Sequence, residues 1–299
     1  MYGFLKFSKI ILGNIPRKAG YFLFETAALF LYRFSKKKHI LRRNLAYVLK
    51  NTAPSASLLK TVYKNYARYY FDLFQKKETI LKNIDGSGFA SYKPEITSRL
   101  NAKQGVIIIS MHAGNWDAGG PFLSSYFPGK INVVVEELSP SFFRWFTETR
   151  NEWGVNIIRS TDIKKMIKVL NNGELLVLAA DRDLEKNGYK MDFFGKKAYI
   201  PSGPAKLALM TNSLIIIGSM FRASENHLQY KPVFAEKMLN VDKHAKNEEN
   251  TLKLTRQMIY EMEKLLKMHP EQWCMLQNIW VAEKNKNTER GSYEKKNLS

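Results

Sequence analysis

A histidine and an aspartate separated by four residues are the side chains in this sequence best suited to catalysis. His112 and Asp117 lie in the segment HAGNWD, which follows a short apolar run and precedes a helical pattern. An imidazole with an ordinary pKa of about 6.5 can take a proton from an alcohol near neutrality when a carboxylate holds it in one tautomer. The same spacing also fits a histidine that caps a helix, with Asp117 as a structural turn residue. Spacing alone leaves both interpretations open.

The HAGNWD segment falls where an α/β fold binds its ligands. From about residue 100, short apolar runs alternate with amphipathic stretches, which predicts a central, mostly parallel sheet flanked by helices. Ligands bind at the carboxyl ends of the strands in such sheets. The predicted strands are 105–110, 131–135, 155–158, 174–180, 213–220 and 228–234. The predicted helices are 57–77, 118–126, 141–153, 162–171, 204–211 and 248–267.

The first fifty residues combine basic side chains with large apolar ones. They contain eleven Lys or Arg and a single acid, Glu25, and so carry half of the net charge of +20. The apolar run 19–34 includes Glu25 and Arg33 and falls short of the ~20 apolar residues that a bilayer-spanning helix needs. This pattern favours helices that lie at an anionic lipid interface. The alternative is an amphipathic helix packed on the domain, with its lysines simply solvated.

Several chemistries have no motif in this sequence. It has no G-x-S-x-G elbow, no P-loop and no G-x-G-x-x-G loop, and its five histidines are scattered without ligand spacing. We therefore expect neither a bound metal nor a cofactor. The single cysteine, Cys274, excludes an intrachain disulfide. The positive charge would permit nucleic-acid binding, but the sequence contains no DNA- or RNA-binding signature. We therefore do not expect nucleic acid as a partner.

A series of motifs in this sequence resembles the motifs of one enzyme family. His112-x4-Asp117 is similar to the HX4(D/E) motif of glycerolipid and lipid A acyltransferases. The blocks ADRDL at 180–184, FFG at 193–195 and PSGPA at 201–205 follow in the order typical of the lipid A late acyltransferases. They resemble most closely the branch that acylates phosphatidylinositol mannosides. RRNL at 42–45 and PEQW at 270–273 resemble flanking blocks of the same family.

The resemblance implies a role for each of four residues. His112 would deprotonate the acceptor hydroxyl, which then attacks an acyl thioester. Glu136, in the strand-end segment VEELSP, matches the carboxylate that supports the histidine in the mannoside acyltransferases. Arg150 matches an arginine on the following helix and would contact substrate. Asp117 would hold the loop or support the base itself, and Glu136 could instead be a solvated strand-end carboxylate.

Four further residues are predicted to contact substrate. Gly114 and Asn115 lie inside the HX4D motif. Arg182 could bind a phosphate or a sugar hydroxyl with its planar fork of donors. Asp183 is its candidate partner. The alternative for these two residues is a structural ion pair at a strand end.

The resemblance also implies an activity and a domain organisation. We expect a fatty acyl group to pass from acyl-CoA or an acyl carrier protein to a hydroxyl of a glycolipid, at the cytoplasmic face of the plasma membrane. Residues 1–45 would form the membrane-associating helices, 46–284 the acyltransferase domain and 285–299 a disordered tail. Residues 1–40 should then be removable without unfolding the rest. The alternatives are a lysophospholipid acyltransferase and a non-enzymatic basic protein that binds membranes or nucleic acid.

Overall fold

A six-stranded sheet forms the centre of the computed structural model, which describes residues 1–136, 139–183, 185–241 and 246–282. The strands are β1 (Val106–Ser110), β2 (Ile131–Val135), β3 (Asn156–Arg159), β4 (Leu175–Ala179), β5 (Tyr189–Phe193), β6 (Lys196–Ile200), β7 (Leu214–Arg222) and β8 (Tyr230–Phe234). The sheet order is β3-β2-β4-β1-β7-β8, and only β8 runs antiparallel to its neighbour. Strands β5 and β6 pair as a separate antiparallel hairpin.

Helices surround the sheet and precede it. They are α1 (Tyr2–Leu12), α2 (Arg17–Phe34), α3 (Lys38–Val48), α4 (Ala56–Asp72), α5 (Lys77–Leu81), α6 (Lys93–Asn101), α7 (Gly119–Tyr126), α8 (Pro140–Glu152), α9 (Ile163–Asn171), α10 (Gly203–Thr211) and α11 (Glu248–Met268). Short 3₁₀ turns lie at Gly86–Phe89, Trp116–Ala118 and Pro270–Gln272. The α/β class with a mostly parallel sheet is confirmed. The hairpin was not predicted, and the predicted tail 285–299 lies outside the described residues.

The apolar run of β1 is continuous because both of its faces are covered. Ile107 and Ile109 point into one apolar cluster with α9, α10 and α11. Val106 and Ile108 point into a second cluster with α6, α7 and α8. A parallel strand buried on both faces gains nothing from polar alternation, so it reads as Val-Ile-Ile-Ile. The sheet is thereby held rigidly between two helical layers.

The N-terminal helices divide their surfaces between core and solvent. Large apolar side chains are exposed on the outer faces of both: Phe4, Phe7, Ile10 and Ile11 on α1, and Phe22, Leu23, Phe30, Leu31 and Phe34 on α2. In contrast, Arg17 and Tyr21 of α2 are buried, as are Leu41 and Leu45 of α3. Among the described residues, no helix combines the length and apolarity that crossing a bilayer requires.

Parts of residues 1–40 are packed into the folded core, which argues against the expectation that they can be removed without unfolding the rest. Arg17 is bonded to the buried Asp72 of α4. The Tyr21 ring meets the Phe71 ring edge-on at 5.8 Å. Deleting the segment would expose Phe71 and leave Asp72 short of partners, which costs stability because both are fully desolvated.

Gly20 sets how closely α2 approaches α4, and it gives a test of this packing. A Cβ at Gly20 would lie 1.9 Å from Cζ of Phe71, whose ring is fully buried and has nowhere to move. We expect Gly20→Ala to lower the free energy of unfolding by about 1–3 kcal/mol, the usual cost of overpacking. Gly3→Ala on α1 is the control, because its Cβ would meet nothing within 4 Å. Urea unfolding measures both; equal stability of the two variants would contradict the packing.

Candidate active site

His112 stands in a loop whose backbone is held from two sides. The loop leaves β1 and runs between β7 and the segment after α11. Gly114 donates its N–H to the carbonyl of Gln272 at 3.0 Å, and Asn115 donates to that of Met220 at 2.7 Å. Gly114 has a φ of +70°, and a Cβ there would lie 2.2 Å from the Met220 oxygen. Only glycine tolerates both conditions, so this loop geometry depends on Gly114.

The carboxylate that contacts the imidazole belongs to Asp181. Its Oδ1 lies 2.7 Å from Nδ1 of His112. Its Oδ2 accepts the backbone N–H of His112 and the indole N–H of Trp273, each at 2.9 Å. Burial would raise the pKa of the Asp181 carboxyl, but the charge of His112 and these three hydrogen bonds outweigh it and hold the pKa below its ordinary value. Asp181 is therefore an ionised acceptor, which assigns the proton to Nδ1 and leaves Nε2 as the basic nitrogen.

Strand order explains why Asp181 meets His112. Strands β1 and β4 are neighbours in register, with Ser110 opposite Ala179. Residues two positions beyond each strand therefore emerge side by side, and these residues are His112 and Asp181. Glu136 follows β2, which is separated from β1 by β4.

Glu136 takes a different partner from the one expected. Its Oε2 lies 2.9 Å from Nη2 of Arg182, whose Nη1 donates to Gln277 at 2.5 Å. The structure thus pairs Glu136 with Arg182 and gives the Nδ1 contact of His112 to Asp181. Asp183 does not pair with Arg182; it accepts the backbone N–H groups of residues 185, 186 and 188 and shapes the turn before β5.

Asp117 is fixed in a buried ion pair. Its Oδ1 accepts from Nε and Nη2 of Arg150 at 2.8 and 2.6 Å, and its Oδ2 accepts from the Tyr69 hydroxyl at 2.7 Å. Burial, with the charge of Asp117, raises the pKa of Tyr69 well above its usual range, so Tyr69 remains a donor. Asp117 was expected either to hold the loop or to support His112 as a base, and these contacts favour the first role.

The guanidinium of Arg150 is only partly hydrogen-bonded: Nε and Nη2 contact Asp117, whereas Nη1 does not. Its Nη1 is buried and has no hydrogen-bond partner among the described residues. The guanidinium carbon lies 4.1 Å from the centre of the Phe146 ring. A buried donor without a partner costs stability unless something else satisfies it. Arg150 also lines the cavity beside His112.

A cavity of about 690 Å³ opens at this edge of the sheet. One part of its wall is polar and includes His112, Glu136, Arg150 and Arg182. The other part is apolar and lies between β2, α8 and α10. Its residues include Val133, Val135, Phe142, Phe146, Trp153 and Leu207. Gly114, Asn115 and Asp183 are not among the described residues that line it. The arrangement can hold a molecule with a long apolar portion and a polar end at the imidazole.

Cys274 also lines this cavity but is poorly suited to act as a nucleophile. Burial raises the pKa of its thiol to about 12, so the thiol is protonated near neutrality. Its backbone N–H donates to the carbonyl of His112 at 2.8 Å, which is a structural contact. Within the described ranges, no three His, Cys, Asp or Glu side chains come together in a way that could hold a metal ion.

Comparison with known proteins identifies the family to which this site belongs. The family model for the bacterial lipid A biosynthesis acyltransferases matches residues 5–282. The chain belongs to that family. It is an acyltransferase, as the resemblance of its motifs predicted.

Curated relatives support the same family. A phosphatidylinositol mannoside acyltransferase of Mycolicibacterium smegmatis is 26% identical over 252 residues, which cover 81% of this chain and 79% of the relative. A protein of the same name from Mycobacterium tuberculosis is 27% identical over 274 residues, covering 87% of this chain and 82% of the relative.

Sequence reasoning missed Asp181 in this acyltransferase, although the residue lay within a quoted motif. Asp181 is the first aspartate of ADRDL and follows a predicted strand, as Glu136 does. Either carboxylate could have been the neighbour of His112. The signal that separates them is the pairing of β1 with β4, which no local pattern contains. Tyr69 and Trp273, which hold Asp117 and Asp181, were missed for the same reason.

Replacing Asp181 by asparagine tests whether it holds the tautomer of His112. An amide can donate to Nδ1 and stabilise the opposite tautomer, so we expect kcat of Asp181→Asn to fall by about 10²–10⁴-fold. Asp192→Asn, on an exposed carboxylate paired with Lys197, is the control and should keep kcat. Glu136→Gln leaves the Nδ1 partner in place and should lower kcat less. A larger loss in Glu136→Gln than in Asp181→Asn would return the role to Glu136.

Proposed function

We propose that this protein transfers a fatty acyl group from a thioester to a hydroxyl of a glycolipid of the phosphatidylinositol mannoside type. The observation that carries the proposal is the His112–Asp181 pair at the polar end of a cavity whose remaining wall is apolar. The names of the mycobacterial relatives add the acceptor class. A thioester donor, acyl-CoA or an acyl carrier protein, supplies the driving force, since the sequence has no nucleotide-binding motif.

His112 would act first as a base and then as an acid. Its Nε2 takes the proton from the acceptor hydroxyl while the oxygen attacks the thioester carbonyl. The resulting imidazolium is stabilised by the Asp181 carboxylate at 2.7 Å. When the tetrahedral intermediate collapses, the C–S bond breaks, an ester forms and the imidazolium returns its proton to the departing sulfur. The side chain of His112 is 22% exposed, which leaves room for the acceptor to reach it.

The cavity wall suggests where the other parts of the substrates lie. The acyl chain would occupy the apolar part between β2, α8 and α10. Arg150 would donate through its free Nη1 to a substrate oxygen, because this group is buried and otherwise unsatisfied. Arg182, held by Glu136 and Gln277, lies where it could bind a phosphate or sugar oxygen. Two arginines within one cavity suit the anionic phosphodiester of a phosphatidylinositol mannoside.

We also propose that the outer faces of α1 and α2 bind an anionic membrane. Nine exposed Phe, Leu and Ile side chains on these two helices lie among lysines and arginines. Contiguous exposed apolar side chains on a soluble surface commonly mark an interaction site. Each basic side chain near an anionic surface adds about 1 kcal/mol of attraction. We propose that this surface meets the cytoplasmic face of the plasma membrane, where the proposed thioester donor would be present.

Substitution of His112 tests the reaction. We expect His112→Ala to keep its fold and to lose about 10²–10⁴ of kcat, the usual contribution of a general base. The assay incubates the protein with palmitoyl-coenzyme A and phosphatidylinositol mannosides, and mass spectrometry detects the mass of one added acyl chain. His39→Ala, an exposed histidine of α3 outside the cavity lining, is the control. Near-normal turnover by His112→Ala would remove this residue from the mechanism. If the protein acylated lysophospholipids but not phosphatidylinositol mannosides, the proposed acceptor would be wrong.

A double substitution on α1 tests the membrane surface. Phe4→Ser with Phe7→Ser removes two rings that are 71% and 62% exposed, so the fold should be unaffected while vesicle binding weakens. Tyr260→Ser with Met268→Ser, on the exposed side of α11, is the matched control. Co-sedimentation with vesicles containing anionic lipid measures binding, which should weaken but persist at high salt because only its electrostatic part is screened. Equal binding by both double variants would place the membrane contact elsewhere.

A further inference from the structure

A buried polar cluster joins α2 to α4 and to the loop of His112. At its centre is the Asp72 carboxylate, which is 1% exposed. Five other side chains meet there, and all are buried: Arg17 and Tyr21 of α2, Asn115 of the loop, Arg222 of β7 and Tyr230 of β8. The acyl-transfer chemistry described above does not use this cluster, although one of its members lies inside the HX4D motif.

Both oxygens of Asp72 accept hydrogen bonds from buried side chains. Arg17 Nε approaches Oδ1 at 3.2 Å, and Arg222 Nη2 approaches Oδ2 at 2.8 Å. The Tyr21 hydroxyl lies 2.9 Å from both oxygens, and the Tyr230 hydroxyl also donates to Oδ2. Burial raises the pKa of Tyr21 well above its ordinary range, so its hydroxyl stays a donor.

The cluster contains one more arginine than charge balance requires. Arg222 alone would neutralise Asp72, because its guanidinium lies against the carboxylate and comes from the adjacent strand β7. Arg17 adds a second positive charge to a buried site, which is costly to desolvate. It also donates to the Leu228 carbonyl at 2.6 Å and to the Tyr230 hydroxyl at 2.7 Å. Its contribution is attachment: these bonds tie the start of α2 to the core.

The cluster reaches the catalytic loop through Asn115. The Asn115 amide donates to Asp72 at 3.2 Å and to the Tyr230 hydroxyl at 3.0 Å. Its Oδ1 accepts the N–H of Ala118 at 3.2 Å and so caps the turn that carries Asp117. Tyr69 lies three residues before Asp72 on α4 and holds Asp117 itself. Helix α4 thus contacts the His112 loop twice, through Tyr69 at Asp117 and through Asp72 at Asn115. Helix α2 is bonded to α4 at Asp72.

We propose that Arg17 and Tyr21 are positioning residues that fix the 112–118 loop through Asp72 and Asn115. The catalytic part of this inference rests on the proposed function. It gives Asn115 a structural place behind the loop rather than a contact with substrate. Because the opposite face of α2 carries the exposed apolar side chains, the same helix that is proposed to meet the membrane also sets the geometry of the loop.

The test compares Arg17→Met with Lys60→Met in the full-length protein. Both substitutions remove one positive charge, and Lys60 is an exposed residue of α4. Arg17→Met leaves the Arg222–Asp72 pair intact, so the variant should fold. We expect its kcat with palmitoyl-coenzyme A and phosphatidylinositol mannosides to fall by about 10- to 100-fold, as small misplacements remote from the reacting atoms can cause. KM for the thioester and binding to anionic vesicles should match those of Lys60→Met.

Hydrogen–deuterium exchange gives a readout that does not depend on turnover. In Arg17→Met the amides of 112–118 should exchange faster than in Lys60→Met, while those of β1 and β4 should be unchanged. If the wild-type protein acylates no glycolipid, the proposed function fails, and exchange in the loop alone decides the positioning role. Unchanged loop exchange, or unchanged kcat, would overturn the inference. Faster exchange throughout the sheet would also overturn it, since the residue would then be merely structural.

Tyr21→Phe is a second, milder variant that keeps the proposal testable if Arg17→Met does not fold. It keeps the ring that packs against Phe71 and removes only the hydroxyl that bridges the two arginines and Asp72. We expect a smaller fall in kcat with the same local increase in exchange. Arg17→Lys should lie between Arg17→Met and the wild type. An ammonium can reach Asp72 but cannot also span the Leu228 carbonyl and the hydroxyls of Tyr21 and Tyr230, which the guanidinium contacts. An Arg17→Lys variant no better than Arg17→Met, with a normal Tyr21→Phe, would contradict the proposal.

Discussion

The Asp181 carboxylate is fully buried, and the active-site loop is organised around it. Desolvating a carboxylate costs several kcal/mol, and the protein offsets this with one imidazole, one indole and one backbone N–H. These three donors come from the loop after β1 and from Trp273 near the C-terminus. Satisfying one charge therefore brings two distant segments together and orients His112. A water-accessible carboxylate at this position would not demand such fixed partners.

A second buried carboxylate, Asp72, stabilises the loop from behind. Asp181 holds the imidazole, whereas Asp72 holds Asn115 three residues later. Two residues beyond Asn115, Asp117 is held by Arg150 and Tyr69. The loop between β1 and α7 is thus anchored at three successive points by buried charged groups. This explains how a loop containing a positive-φ glycine can present the His112 side chain in one orientation.

The two faces of α2 carry different tasks. Its inner face is closely packed and mixed: Arg17 and Tyr21 meet Asp72, while Gly20 and the Phe24 ring lie against Phe71. Its outer face also carries large apolar side chains, and these are exposed. An ordinary surface helix turns polar and charged side chains to the solvent. The exposed apolar side chains are the physical basis for proposing a membrane-facing role, and they account for an N-terminal segment that is both basic and aromatic.

The sequence by itself determined the family, the six strands of the central sheet and six of the helices, but not the β5–β6 hairpin. Continuous apolar runs at 106–110 and 175–179 defined buried parallel strands, helical periodicity defined α9 and α11, and the motif order identified an acyltransferase. These signals are local, since each depends on the burial of neighbouring positions along the chain. The tertiary structure alone decided that β4 lies between β1 and β2, and that Arg17 is buried while Phe22 is exposed. Strand order and helix orientation follow from packing between segments far apart in sequence. The partner of His112 depends on that packing, which is why Asp181 and Glu136 could not be told apart until the sheet was assembled.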